Sequence, residues 1–272
     1  FTLGAVDYSL ASETASEAAI GAYTYQMNLN TSFTGDDNLY VRLKTGNHKG
    51  LWSTTKTYGT YLKSGNGNQD SLKVDKIWYE FPVGDKNTVW VGPRIENYYM
   101  HGTTPSIYQP VTKQFTLGGN GEAYGASTDT GAGWAYKADN GFAISSNIGT
   151  KSNSSQEVSE VYYNTGLLTN ETKTSWATQV GYTKPNYSVS ALLNIKSNGW
   201  SDTYYHTKNH GTGGNGNFSS VGLRGWWRPD NTGTATPSIS VGFDTTEYDG
   251  APSSTSSSVS YTHLTLPTNK AV

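Results

Sequence analysis

The sequence predicts an all-β protein, an antiparallel up-and-down β-barrel that crosses a membrane with its strands. Three observations predict it. Apolar and polar residues alternate with period two along arm after arm. The connections between arms are short and long by turns, as they are between the two ends of such a barrel. The composition is also too thin in aliphatic side chains for a thick core: hydrophobic residues make up 34% of 272, yet aromatics reach 13%, with 20 Tyr and 8 Trp.

The arms follow in order. Residues 1–9 form a weak first arm. Residues 20–33 put Tyr23, Tyr25, Met27, Leu29 and Phe33 on one face and Thr24, Gln26, Asn28 and Asn30 on the other. After the turn "TGDDN", residues 38–46 set Leu39, Val41 and Leu43 against Tyr40, Arg42 and Lys44. The stretch "VDKIWYEFPVGDKNTVWVGPRIE" reads as a hairpin about "GDKN". Its first arm sets Ile77, Tyr79, Phe81 and Val83 against Lys76, Trp78 and Glu80; its second sets Val89, Val91, Pro93 and Ile95 against Trp90, Gly92, Arg94 and Glu96. Pro93 has no amide hydrogen for a sheet ladder, so a bulge or break is expected there.

"GWAYKADNGFAISSNIG" repeats the hairpin with Trp134, Tyr136, Phe142 and Ile144 apolar-facing. "SWATQVGYTKPNYSVSALLNIK" does so again, with Trp176, Val180 and Tyr182 answering Tyr187, Val189, Ala191, Leu193 and Ile195. Residues 219–228 and 237–247 complete about eleven arms, with Val221, Leu223, Ile239, Val241 and Phe243 apolar-facing. Arms of this length suit the roughly 9–11 residues of a tilted membrane strand. Short turns fall at 34–37, 84–87, 138–140, 184–186 and 229–236; long polar connections fall at 47–73, 97–127, 150–174 and 197–218.

Other classes lose ground on composition. With 19 Lys+Arg and 21 Asp+Glu, no nucleic-acid footprint shows in the totals. Cysteine is absent, which removes disulfides and thiolate chemistry. No apolar run reaches the length of a transmembrane helix. The chain opens at Phe1 without a signal peptide and reads as a fragment. Residues 1–258 are expected to be the barrel domain. "VSYTHLTLPT", within 259–272, resembles translated adaptor sequence and is set aside as a non-native tail.

"AYTYQMNLNTSFTGDDNLYVRLKTGN", "DKIWYEFPVGDKNTVWVG" and "GWAYKADNGFAISSNIG" resemble cyanobacterial outer-membrane porins of the carbohydrate-selective porin superfamily, over most of residues 19–246. The resemblance implies passive diffusion of small hydrophilic solutes, inorganic ions and sugars among them, through an integral outer-membrane barrel. It also implies a homotrimer, contact with outer-membrane lipid, and an N-terminal module holding peptidoglycan-linked polymer, with that module and the last strands lying outside this chain. The competing class is a soluble carbohydrate-binding or adhesin-like β protein.

A porin performs no bond chemistry; the side chains at its narrowest point set selectivity. The expected pore lining is Arg42, Lys44, Lys76, Glu80, Arg94, Glu96, Lys196, Arg224, Arg228 and Asp244, all on the polar side of the alternation. Cations exceed anions in that set, which favours anions or polarised neutral solutes, with Arg42, Lys44 and Arg94 as part of the expected selectivity wall; the equal alternative is that each cation pairs with a neighbouring carboxylate and only stiffens the wall. Residues 97–121 are the candidate constriction loop, with Tyr98, Tyr99, His101, Tyr108 and Lys113. An external loop packed on its own side chains is the equal alternative. No catalytic constellation, cofactor motif or metal site is expected. His206 and His210 stand at i, i+4 but in a Gly/Asn-rich loop, and "GTGGNGN" has no following helix to make a phosphate cradle.

Overall fold

The computed structural model describes residues 2–4, 20–48, 70–104, 121–124, 129–151, 172–198, 200, 217–229, 238–248 and 255–263. The fold is all-β, one antiparallel up-and-down sheet of eleven strands in which every strand pairs with its neighbours in sequence. These are β3 (Thr24–Thr31), β4 (Asn38–Gly46), β5 (Lys73–Val83), β6 (Asn87–Arg94), β7 (Gly131–Lys137), β8 (Phe142–Thr150), β9 (Thr174–Lys184), β10 (Tyr187–Lys196), β11 (Phe218–Trp227), β12 (Ser238–Tyr248) and β13 (Thr255–His263). Strands β3 and β13 are its two edges among the described residues, so the sheet is not closed.

The number eleven agrees with the sequence reading, but the membership differs. Within the expected first two arms, β1 (Thr2–Gly4) pairs with β2 (Ile20–Ala22) in a separate two-stranded sheet. The expected 20–33 arm is thus divided before Thr24. The eleventh strand is β13, which crosses the expected boundary at Ser258 and pairs with β12 as far as His263.

Tight turns sit at one end of the strands. Gly84 and Gly141 adopt φ of +64° and +101°, the left-handed region that glycine enters without strain, between β5 and β6 and between β7 and β8. Asp37 staples the β3–β4 turn: its carboxylate accepts from Ser32 Oγ at 2.6 Å, from the Phe33 and Thr34 amides, and from the Tyr79 hydroxyl. These bonds, the Ser32 one first, hold its carboxyl far below the ordinary carboxylate range. The connections between β4 and β5, β6 and β7, β8 and β9, and β10 and β11 are long and lie at the other end.

Two bulges change which way side chains point. Arg42 pairs with Lys76 but Leu43 pairs with Val74, so Asp75 is an extra residue. Tyr79 pairs with Val91 and Ile77 with Arg94, so Gly92 and Pro93 together face Trp78, the irregularity expected at the proline. A Cβ on Gly92 would lie 2.6 Å from the Ile77 carbonyl oxygen and 2.7 Å from Trp78 Cα. Only glycine admits that approach.

This bulge overturns two sequence assignments. Past it Arg94 stands beside outward-facing Ile77, and its guanidinium donates to the Val74 carbonyl at 2.9 Å. Ile95, expected outward, is fully buried against Tyr40, Trp78, Trp90, Met100 and Ala135. An extra residue shifts the period-two parity by one, so Arg94 and Ile95 change sides.

Candidate functional site: a polar face with an inner strap

The sheet is inside-out relative to a soluble protein. Its covered face is rich in polar side chains, with Ser145, Asn147, Gln179, Ser188, Asn194, Ser220, Ser240 and Asp244 all buried, beside buried aromatics such as Tyr40, Trp78, Trp90 and Trp226. Its open face is apolar: Trp176, Val180, Val189, Leu193, Leu223, Val241 and Phe243 are 41–54% exposed and alternate with those polar residues along β9 to β12.

A segment leaving β6 covers the polar face. Residues 95–104 include a 3-10 turn, Asn97–Met100, and a single helical turn, α1 (Gly121–Tyr124), follows. Together they form a strap across the sheet, joined at each step by strand side chains. Over β4 and β5, Arg42 Nη2 donates to Glu96 at 2.5 Å, Arg42 Nε to Asp75 at 2.5 Å, and Lys76 Nζ to the Ile95 carbonyl at 3.0 Å. Charge-assisted bonds of this kind are the stronger class. The bulge is what brings Asp75 to Arg42.

Over β8, the Asn147 amide donates to the Asn97 carbonyl at 3.1 Å, and Ser145 Oγ accepts from the Gly102 amide at 3.0 Å. His101 lies between them, with Nδ1 3.1 Å from Ser145 Oγ and Nε2 3.3 Å from Asn147 Nδ2. Since Asn147 Nδ2 is a donor, Nε2 accepts and Nδ1 carries the proton. Burial, followed by the charge of Arg224, pushes the imidazole down to about 3, so it is neutral here.

Over β9 to β12 the bonds continue. Gln179 Oε1 accepts from the Thr103 amide and hydroxyl at 3.0 and 2.7 Å, and Gln179 Nε2 donates to the Tyr124 hydroxyl at 2.7 Å. Arg224 Nη2 donates to the Thr103 carbonyl at 2.8 Å, with its guanidinium 5.2 Å from the Tyr124 ring centroid. Asn194 Nδ2 donates to the carbonyls of Ala123 and Tyr124, and the Ala123 amide donates to Asp244 at 3.2 Å. Burial raises the Tyr124 hydroxyl above its ordinary value. Gly181 makes room: a Cβ there would lie 2.3 Å from Thr103 Cγ2.

Of the expected lining residues, Arg42, Lys44, Lys76, Glu80, Glu96, Lys196, Arg224 and Asp244 lie on the polar side or in the strap. Glu80 accepts from Trp90 Nε1 at 2.7 Å, and buried Lys196 sits over the Phe218 ring at 5.2 Å. Arg94 does not join them. Arg228 stands past the end of β11, donates from Nε to the Pro185 carbonyl in the β9–β10 turn, and lies 5.7 Å from the ring centroid of buried Trp226.

In the expected loop, Tyr98 and Tyr99 pack at 4.9 Å, and Tyr99 stays 46% exposed, with the Arg42 guanidinium 5.8 Å from its ring centroid. Tyr108 and Lys113, like His206 and His210, lie outside the described residues. Asn147, Gln179, Asn194 and Asp75 were not picked out from sequence. The only signal for the first three is a large amide on the covered side of a strand, and for Asp75 there is none before the register is known. Among the described residues no group of His, Cys, Asp or Glu could hold a metal ion.

No family model matches the chain, and no curated protein matches it. Among solved structures it is similar to OmpTdeltaL8 (loop L8 deletion mutant of OmpT), an outer membrane protein of Vibrio cholerae, at 11% identity and a TM-score of 0.46. That match covers 84% of this chain, which spans 63% of the solved one.

Proposed function

We propose that the chain is wall and constriction of an outer-membrane porin that passes small hydrophilic solutes, inorganic ions and sugars, by passive diffusion. One observation carries the reading, the inverted burial of the sheet. Apolar side chains on the open face suit hydrocarbon, and a polar face with charges suits a water-filled interior. In water alone, so continuous an exposed apolar face would mark an aggregation site. The soluble carbohydrate-binding alternative lacks a reason for it.

In this reading the strap narrows the passage, and exposed groups on it, Tyr99 among them, meet the solute. No bond chemistry is assigned, and no cofactor. By the resemblance alone, the reading extends to a homotrimer in outer-membrane lipid and to peptidoglycan-linked polymer held by a module outside this chain.

The test is a planar bilayer. Detergent-folded protein is expected to show heat-modifiable gel migration and stepwise conductance with a size cut-off. Protein that is folded and monodisperse without detergent, and silent in the bilayer, would return the reading to the lectin class.

A further inference from the structure

We propose that a furrow on the open face of β9 to β12 holds one acyl chain of an anionic phospholipid, with the lipid phosphate on Lys184 at the short-turn end. The site rests on the membrane reading above and narrows a general lipid contact to one place on the wall.

Register builds the furrow. Two rungs run side by side across the open face: Val180, Ala191, Leu223 and Phe243, and next to them Tyr182, Val189, Gly225 and Val241. Each rung has one small residue, Ala191 on β10 and Gly225 on β11. The two are diagonal neighbours, because Ala191 pairs with Leu223 and Val189 pairs with Gly225. Every other position of the two rungs carries a branched or aromatic side chain, and these line a groove of about 690 Å³. A Cβ on Gly225 would lie 3.3 Å from the Ser188 carbonyl oxygen and 3.6 Å from Val189 Cγ1, so the floor there is backbone and the first wall is Val189.

The shape suits a hydrocarbon chain. Strands stand about 4.8 Å apart, so walls on either side of one missing side chain rise from backbones roughly 10 Å apart. A flexible acyl chain adapts to an irregular trough of that width. A second protein face fills it only with side chains placed to match.

Charge and aromatic placement select the end and the headgroup. Lys184 lies on the open side of β9, two residues past Tyr182 and so about 7 Å from the furrow's rim. A lysine on a lipid-facing side is costly at the midplane and tolerated near the interface, which sets Lys184 at headgroup level. An aromatic belt agrees with that level. Lys184 pairs with Tyr187, Tyr187 with Trp227, and Tyr182 with Phe142, all on the open side. The Lys184 ammonium is 5.4 Å from the Tyr182 ring centroid, and Arg228, held to the Pro185 carbonyl at 3.0 Å, brings a guanidinium to the same turn. A lipid phosphate accepts charge-assisted bonds from such groups. At the long-connection end the open side of β12 carries Glu247 instead, so an anionic headgroup is matched at the turn end.

The test uses the full chain folded in detergent, with dioleoylphosphatidylglycerol as the probe, zwitterionic dioleoylphosphatidylcholine as the control, and native mass spectrometry as the readout. The wild type is expected to retain one phosphatidylglycerol per chain and to hold phosphatidylcholine about fivefold more weakly. Lys184→Gln should remove that preference, and Lys184→Arg should keep it. Ala191→Leu fills the furrow and should lower retention of both lipids, with heat-modifiable migration showing that each variant is folded. Lys184→Gln changes a strand-end residue, so it reports even where Ala191→Leu does not fold. Retention that is equal for both lipids and unchanged in the variants would overturn the site and leave the pore standing. Oligomers broken by Ala191→Leu, with no lipid retained, would overturn it in favour of a second copy on this face. Protein folded and monodisperse without detergent would overturn the site and the pore together.

Discussion

His101 shows most clearly how one side chain ties the strap to the wall. It is neutral well above about 3 in the folded state, whereas an unfolded histidine takes a proton near 6.5. As pH falls, the unfolded state binds the proton first. The stability His101 contributes is whole above about 6.5 and is lost as pH drops toward about 3. The groups facing it are Ser145 and Asn147 on β8, Tyr124 on α1 and the Arg224 charge on β11, none of which would welcome an imidazolium. The strap is expected to resist protease at about pH 7 and be cut at about pH 4, and His101→Gln is expected to flatten that difference. Limited proteolysis in detergent checks it. His101 was legible in the sequence as a polar group in an aromatic-rich loop. Its partners were not, because Ser145 and Asn147 read only as unremarkable polar positions of a strand.

At the scale of elements, the hairpins were legible and the bulges only half so. Pro93 announced an irregularity, yet the direction of the change depended on how Trp78 was paired, which no local pattern contains. Hence Arg94 was placed with the lining and Ile95 outside it, and both sit on the other side. The strap was legible as a long loop with a choice of two positions. What decides between them is spread over strands more than a hundred residues away, in Arg224 and Asp244. Gly181 is where this contact is tightest. Gly181→Ala is expected to lift Thr103 from the wall, costing about 1–3 kcal/mol in strap protection and altering single-channel conductance, because the added methyl overlaps Thr103 Cγ2. Conductance histograms of the variant against wild type check it.

For the whole molecule, the two faces make opposite demands. Leu223, 51% exposed near the middle of β11, is expected to tolerate an apolar exchange, while Leu223→Arg should cost roughly 2–4 kcal/mol if that level meets the bilayer centre. Urea unfolding in lipid vesicles measures the difference, and an equally small effect for Arg would count against lipid on that face. Period two gave this face correctly along β9 to β12, where no bulge intervenes. Closure lies beyond any alternation pattern, since β3 and β13 show only which strands are edges.

The strap also dictates an order of assembly. The strand pairings link neighbours in sequence, so hairpins can add one after another with short loop closures. The bonds from Thr103 to Arg224 and from Ala123 to Asp244 each span 121 residues and cannot form until β11 and β12 are in place. A polar segment cannot afterwards pass through hydrocarbon to reach them. On the pore reading proposed above, the strap would therefore travel with the growing sheet on its covered side until β11 and β12 supply its last anchors.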